Sequence, residues 1–211
     1  METPDRTASN IPGVESSIVR FPGSSLLKSC KLSKNSVIRG IHFKASSIVG
    51  FDETGKLWRC NISGETIIEG IPCKAKSEVE FSAEGRLLAC TTSRRSEIQG
   101  IPVKAGTMVF FHGNGRLFKC EVEENISVGG FRVQPGTDLC FFDDGRLSAF
   151  ILSDSAVVDG IPCVEGTRVW FHKTGGIKGC TVAEDMTIKG AACEKGSLLV
   201  FREDGSLISY E

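Results

Sequence analysis

The sequence predicts an all-β repeat protein built from stacked hairpins, and three observations carry that reading. The chain repeats every thirty residues without an insertion or deletion. Apolar residues inside each repeat alternate with period two rather than 3.6. Glycine-centred turn signals recur at fixed places.

The repeats are 11–40, 41–70, 71–100, 101–130, 131–160, 161–190 and a truncated 191–211, with places 1 to 30 counted from Ile11. Residues 1–10 are polar and lie outside the period, so they are expected to form a disordered tail. Everything after them reads as one β-repeat domain. Place 9 is Val19, Val49, Val79, Val109, Leu139, Val169 and Leu199, and place 11 is phenylalanine in all seven repeats. These two columns mark a strand with one buried face. Place 17 is Leu, or Ile177 in the sixth repeat, and opens a second strand. Between the two strands, Asp143-Asp144-Gly145 and its equivalents suit a type I turn whose glycine is left-handed and forms a bulge. Further turn signals stand at places 4–6 and 23–26, and place 30 is glycine in every complete repeat.

Place 20 is Cys30, Cys60, Cys90, Cys120, Phe150, Cys180 and Tyr210. Its parity is opposite to that of place 17, so the second strand is expected to bulge near places 18–19 or to turn a corner there. If place 11 faces place 17 across the hairpin, place 10 is expected to face place 18. Two architectures satisfy these patterns. One is an elongated row of hairpins in a single twisted sheet, which needs an even number of strands per repeat. The other is a parallel β-helix with one coil per repeat. Turn chemistry favours the hairpins.

The runs Phe111-His112-Gly113-Asn114-Gly115-Arg116-Leu117 and Phe142-Asp143-Asp144-Gly145-Arg146-Leu147 resemble the aromatic-x-Asn-Gly-Lys/Arg-Leu core of bacterial MORN-type repeats. That family includes repeats of antitoxin-like proteins. The likeness lies in the turn segment, without the Tyr-x-Gly that opens such repeats. It implies stacked β-hairpins and a scaffold or interaction role rather than catalysis.

Composition excludes several functions. A formal net charge of −1 argues against nucleic acid or an anionic membrane as partner, since both call for a basic excess. No apolar run reaches the roughly 20 residues that cross a bilayer. The amino terminus carries no apolar leader, and nine cysteines without a Cys-x-x-Cys pair suit a reducing, cytoplasmic setting.

The cysteine column invites a metal reading, but a linear ladder cannot converge four ligands on zinc. Phe150 and Tyr210 in the same column point to an apolar slot instead. His112 and His172 share place 12, two repeats apart, and His42 stands elsewhere, so no metal pair or catalytic set follows from spacing. Lys56, Arg86, Arg116 and Arg146 form a basic ladder at place 16, which Glu84 and Asp144 across the turn are placed to neutralise. The sequons at Asn61 and Asn125 have meaning only in a secreted protein. No cofactor, metal or small-molecule substrate is indicated.

The solvent side of the hairpin departs from the expected polarity. Place 10 runs from Arg20, Gly50 and Glu80 to Phe110, Cys140, Trp170 and Val200. Place 18 holds Trp58, Leu88, Phe118 and Ile208, and Phe142 adds an aromatic at place 12. Either a second layer covers these residues or they form an exposed apolar patch that takes a partner. The candidate contact residues are Phe110, Phe118, Phe142, Trp170, Val200 and Ile208. The expected function is a non-catalytic scaffold for protein–protein contact or self-assembly. The alternative is a cell-surface or envelope repeat protein whose leader is absent. An enzyme would need clustered acid–base residues that break the repeat, and none is visible.

Overall fold

The computed structural model describes residues 11–188 and 190–210; the segment 1–10, expected to be a disordered tail, lies outside the described residues. Contacts divide the chain into two compact halves, Met1–Arg116 and Leu117–Glu211. Among the described residues the structure is β throughout, apart from one 3-10 turn at Glu15–Ser17.

Fourteen strands make the antiparallel sheet of stacked hairpins, seven from each half and neighbouring in chain order. In the first half these include Ile48–Phe51 with Leu57–Ile62 and Ser77–Phe81 with Leu87–Thr91. In the second they include Asp138–Phe141 with Leu147–Ile151 and Arg168–Phe171 with Ile177–Thr181. Every described pairing is antiparallel, so the chain is the hairpin array and not the parallel β-helix.

Each repeat from the second to the sixth contributes four strands, which satisfies the even number the array requires. Besides its two sheet strands it supplies a short side ribbon shared with the next repeat. Thr66–Ile68 pairs with Ile71–Cys73, and Ala156–Val158 pairs with Ile161–Cys163. These ribbons are closed by two-residue turns in which both residues have positive φ, as Gln99 (51°) and Gly100 (82°) do. That is the type I′ geometry, and it explains the glycine column at place 30. The place 12–15 hairpin has the predicted form: Gly145 has φ 88°, its N–H donates to Phe142 O, and Phe142 N–H donates to Arg146 O.

The bulge expected near places 18–19 is present. Phe51 pairs with Leu57, but Gly50 pairs with Arg59, so Trp58 is the extra residue. Leu57 and Cys60 thereby both face inward, which a straight strand forbids. The same shift occurs at Phe81, Phe141, Phe171 and Phe201. It corrects one sequence expectation: place 10 faces place 19, not place 18. The bulge also leaves a strand N–H without a ladder partner, and the preceding ribbon turn supplies one. The Asp159 carboxylate accepts from Ile177 N at 2.7 Å, and Glu69 accepts from Leu87 N at 3.2 Å.

The core of each half lies between the sheet and its ribbons. From the second repeat onward the place 9 residues are fully buried, and the place 11 phenylalanines are at most 9% exposed. From the ribbon side Ile38, Phe43, Ile68, Cys73, Val103, Val133, Val158 and Cys163 close over them. In the second half Phe131 of a ribbon meets Phe150 and Phe171 of the sheet at ring centroids of 5.1 and 5.7 Å. The first repeat departs from the pattern. With Ser25 in place of the turn glycine, Arg20 pairs with Leu27, and Val19 is left 49% exposed.

Candidate functional site

The ribbons cover one face of the sheet in each half, and among the described residues nothing is layered on the other face. Parity sends places 8, 10, 19 and 21 to that outer face, and the bulged place 18 joins them. In the first half it carries Ile48, Trp58 and Met108, which are 49%, 43% and 48% exposed, with half-buried Leu88 and Phe110. In the second half Phe118, Ile151, Leu198 and Ile208 are exposed, and Trp170 and Val200 are half-buried.

The large side chains stand over small ones. Phe110 pairs across from Ala89. Trp170 lies between Ala149 and Gly179, and a methyl group at Gly179 would stand 3.3 Å from the Trp170 ring. Trp58 uses Gly50 in the same way, with its Nε1 3.4 Å from where a Cβ would sit. A glycine beneath each indole lets the ring lie against the backbone and cover it. Around Trp58 this leaves a shallow notch of about 250 Å³ lined by Lys28, Ile48, Gly50, Trp58, Arg59 and Glu78.

Charges on this face are paired along the rungs. The Arg59 guanidinium bonds Glu80 at 2.8 Å, contacts Glu78, and lies 5.1 Å over the Trp58 ring. In the second half Lys119 pairs with Asp138 at 2.8 Å. These exposed pairs contribute little to stability. Their members neutralise one another, while Lys28, Lys31, Arg168 and Lys178 add positive charge at the same outer places.

Of the sequence candidates, Phe110 lies on the outer face of the first half, and Phe118, Trp170, Val200 and Ile208 lie on that of the second. Phe142 is instead the first residue of a hairpin turn and is half-buried. Ile48, Met108, Ile151 and Leu198 were missed. Their signal was available, because places 8 and 21 alternate with the buried columns at 9 and 20.

The other candidates resolve as follows. Arg146 bonds Asp144 through both Nε and Nη2, which holds that carboxyl down at about 2. Arg86 reaches the Asn114 carbonyl in the turn of the next repeat at 3.4 Å, so these two members of the basic ladder are tied to turn groups. His172 is half-buried rather than solvated, and its Nε2–H donates to Phe201 O at 2.9 Å. Among the described residues no three His, Cys, Asp or Glu side chains gather as a metal set. No helix among them is long and apolar enough to cross a membrane.

Eight of the nine cysteines are buried, and Cys140 is half-buried on the outer face. Burial pushes the Cys60 and Cys120 thiols up to about 12. Thiolate is the reactive form, so these thiols are expected to resist a maleimide until denaturant is added, while Cys140 labels first. Mass spectrometry of timed samples checks this, and rapid native labelling of Cys60 and Cys120 would contradict it.

The chain matches no protein-family model and no curated protein.

Proposed function

We propose that this protein is a non-catalytic β-repeat scaffold that works through protein–protein contact, with a second copy of the chain as the partner its outer face suits best. The observation carrying the reading is the open apolar row on that face. Within its half, none of the ribbons covers Trp58, Met108 or Phe110, nor Phe118, Trp170 or Leu198. Burying such area gains about 25 cal/mol per Å², and aromatic side chains dominate the energetics of contacts. The rung pairs Arg59–Glu80 and Lys119–Asp138 set charges of both signs side by side on the face. Another face of the same kind offers both signs in turn and is complementary to it. The MORN-like turn segment supports the same class of role.

Sedimentation velocity of the wild-type chain against a Phe110→Ser/Trp170→Ser double variant tests the reading. Wild type is expected to associate with rising concentration, and the variant to remain folded and monomeric. A variant that stays folded and associates as before overturns the assignment to these residues, and a wild type that remains monomeric overturns self-association.

A further inference from the structure

In the first, third and sixth repeats the chain bridges place 3 to place 22 of the same repeat, which sets the place 3 residue beside the place 20 residue of the sheet. The first repeat measures that juxtaposition directly. A methyl group at Gly13 would stand 3.2 Å from the Cβ of Cys30. A disulfide joins Cβ atoms about 3.5–4.5 Å apart. In the third and sixth repeats both places are cysteine, giving Cys73 with Cys90 and Cys163 with Cys180. Their register is that of the first repeat: Gly13 bridges Leu32, Cys73 bridges Thr92 and Cys163 bridges Val182. The flanking hydrogen bonds match too, from Val14 N to Lys31 O, Lys74 N to Thr91 O and Val164 N to Thr181 O, at 2.8–2.9 Å.

We infer that Cys73–Cys90 and Cys163–Cys180 are two dithiol–disulfide couples, each able to staple a side ribbon to the sheet by exchange with a small-molecule disulfide. All four thiols are fully buried, and within each pair they touch. The ribbon thiols donate onward, Cys73 to Ile71 O at 3.5 Å and Cys163 to Ile161 O at 3.3 Å. The Cys180 thiol donates to Cys163, which lowers the acidity threshold of Cys163 and raises its own. In the Cys163–Cys180 pair the ribbon cysteine is therefore the attacking group and the sheet cysteine the resolving one.

The exchange balances as follows. The ribbon thiolate attacks one sulfur of the small disulfide, forming a mixed disulfide and releasing one small thiolate. The sheet cysteine gives up its proton and attacks the ribbon sulfur, closing the protein disulfide and releasing the second small thiolate. One disulfide is broken and one is formed, with the two small thiolates taking up the two protons. Access comes from the ribbon layer. Its strands are three residues long and turn Ile67 and Val157 outward at 61% and 69% exposure. Such a ribbon lifts locally without unzipping the sheet.

The remaining repeats act as internal controls. Where place 20 is Cys30, Cys60 or Cys120, place 3 holds Gly13, Phe43 or Val103, while Cys193 at place 3 shares its repeat with Tyr210 at place 20. The experiment is refolding of the full chain from denaturant in oxidised glutathione, followed by alkylation and peptide mapping. Four of the nine thiols are expected to disappear, linked as Cys73–Cys90 and Cys163–Cys180. Cys73→Val, which introduces the residue natural at this place in the fourth and fifth repeats, should remove the first link only. Val103→Cys should add a link to Cys120. Pairs that stay reduced after refolding overturn the inference, as do links that run along the ladder, such as Cys60 to Cys90.

Discussion

Phe150→Ala is expected to destabilise the protein by roughly 3–5 kcal/mol, the range for deleting a buried aromatic. The ring is fully buried, with Phe131 at 5.1 Å and Phe171 stacked at 6.3 Å. Removing it takes away apolar burial and two ring contacts at once, and each such contact contributes about 0.5–1.5 kcal/mol. The cavity would open between ribbon and sheet. Val157→Ala in the same repeat is the matched control. That side chain is 69% exposed on the outer side of a ribbon, so its loss should stay within about 0.5 kcal/mol. Urea unfolding reads both, with a lower midpoint and unchanged slope expected for Phe150→Ala. Equal, small losses would show that the place 20 column does not face the core.

Much of this architecture was legible because repetition turns one pattern into seven trials. Phe at place 11 and Val or Leu at place 9 alternate in every copy, and Asp143-Asp144-Gly145 names its own turn. The side ribbons were not legible as strands. Segments such as Ser36–Ile38 and Ile41–Phe43 are too short to display period two. Only the glycine column at place 30 betrayed them, and it became interpretable once both turn residues were seen at positive φ. The bulge was half-visible: the parity conflict between Leu57 and Cys60 demanded either a bulge or a corner, and sequence alone could not choose. Its consequence for the outer face was lost with it. Place 10 was matched to place 18, whereas its true neighbours at place 19 are Ala89, Ala149 and Gly179. Those small residues are what leave room for Phe110 and Trp170. The thiol pairs were hidden for a different reason. Places 3 and 20 are neither adjacent nor equivalent in the repeat, so only the ribbon folding back over the sheet brings them together.

The cysteine ladder makes a second large prediction, that the protein loses stability steeply in alkali. Cys60 and Cys120 sit in the core, and burial raises both thiols from an ordinary 9.0 to about 12. Burial disfavours the charged thiolate, while the unfolded chain ionises freely. The native state therefore holds these protons longer than the unfolded state does. Their contribution to stability is complete below pH 9, declines as the pH climbs from there, and is gone beyond about 12. Linkage sets the slope at about 1.4 kcal/mol per pH unit for each thiol within that window. Two thiols together amount to several kcal/mol, a large fraction of the roughly 5–15 kcal/mol that holds a typical domain folded. Lysines titrate in the same range, so the comparison is between wild type and a Cys60→Ala/Cys120→Ala variant, both kept reduced. The variant should be less stable at pH 8, because it has lost two buried sulfur atoms. Its urea midpoint should then fall more gently than that of wild type between pH 9 and 11, and the two curves should converge. Parallel curves would mean that these thiols ionise as easily in the folded protein as in the unfolded one, and that the column is open to water.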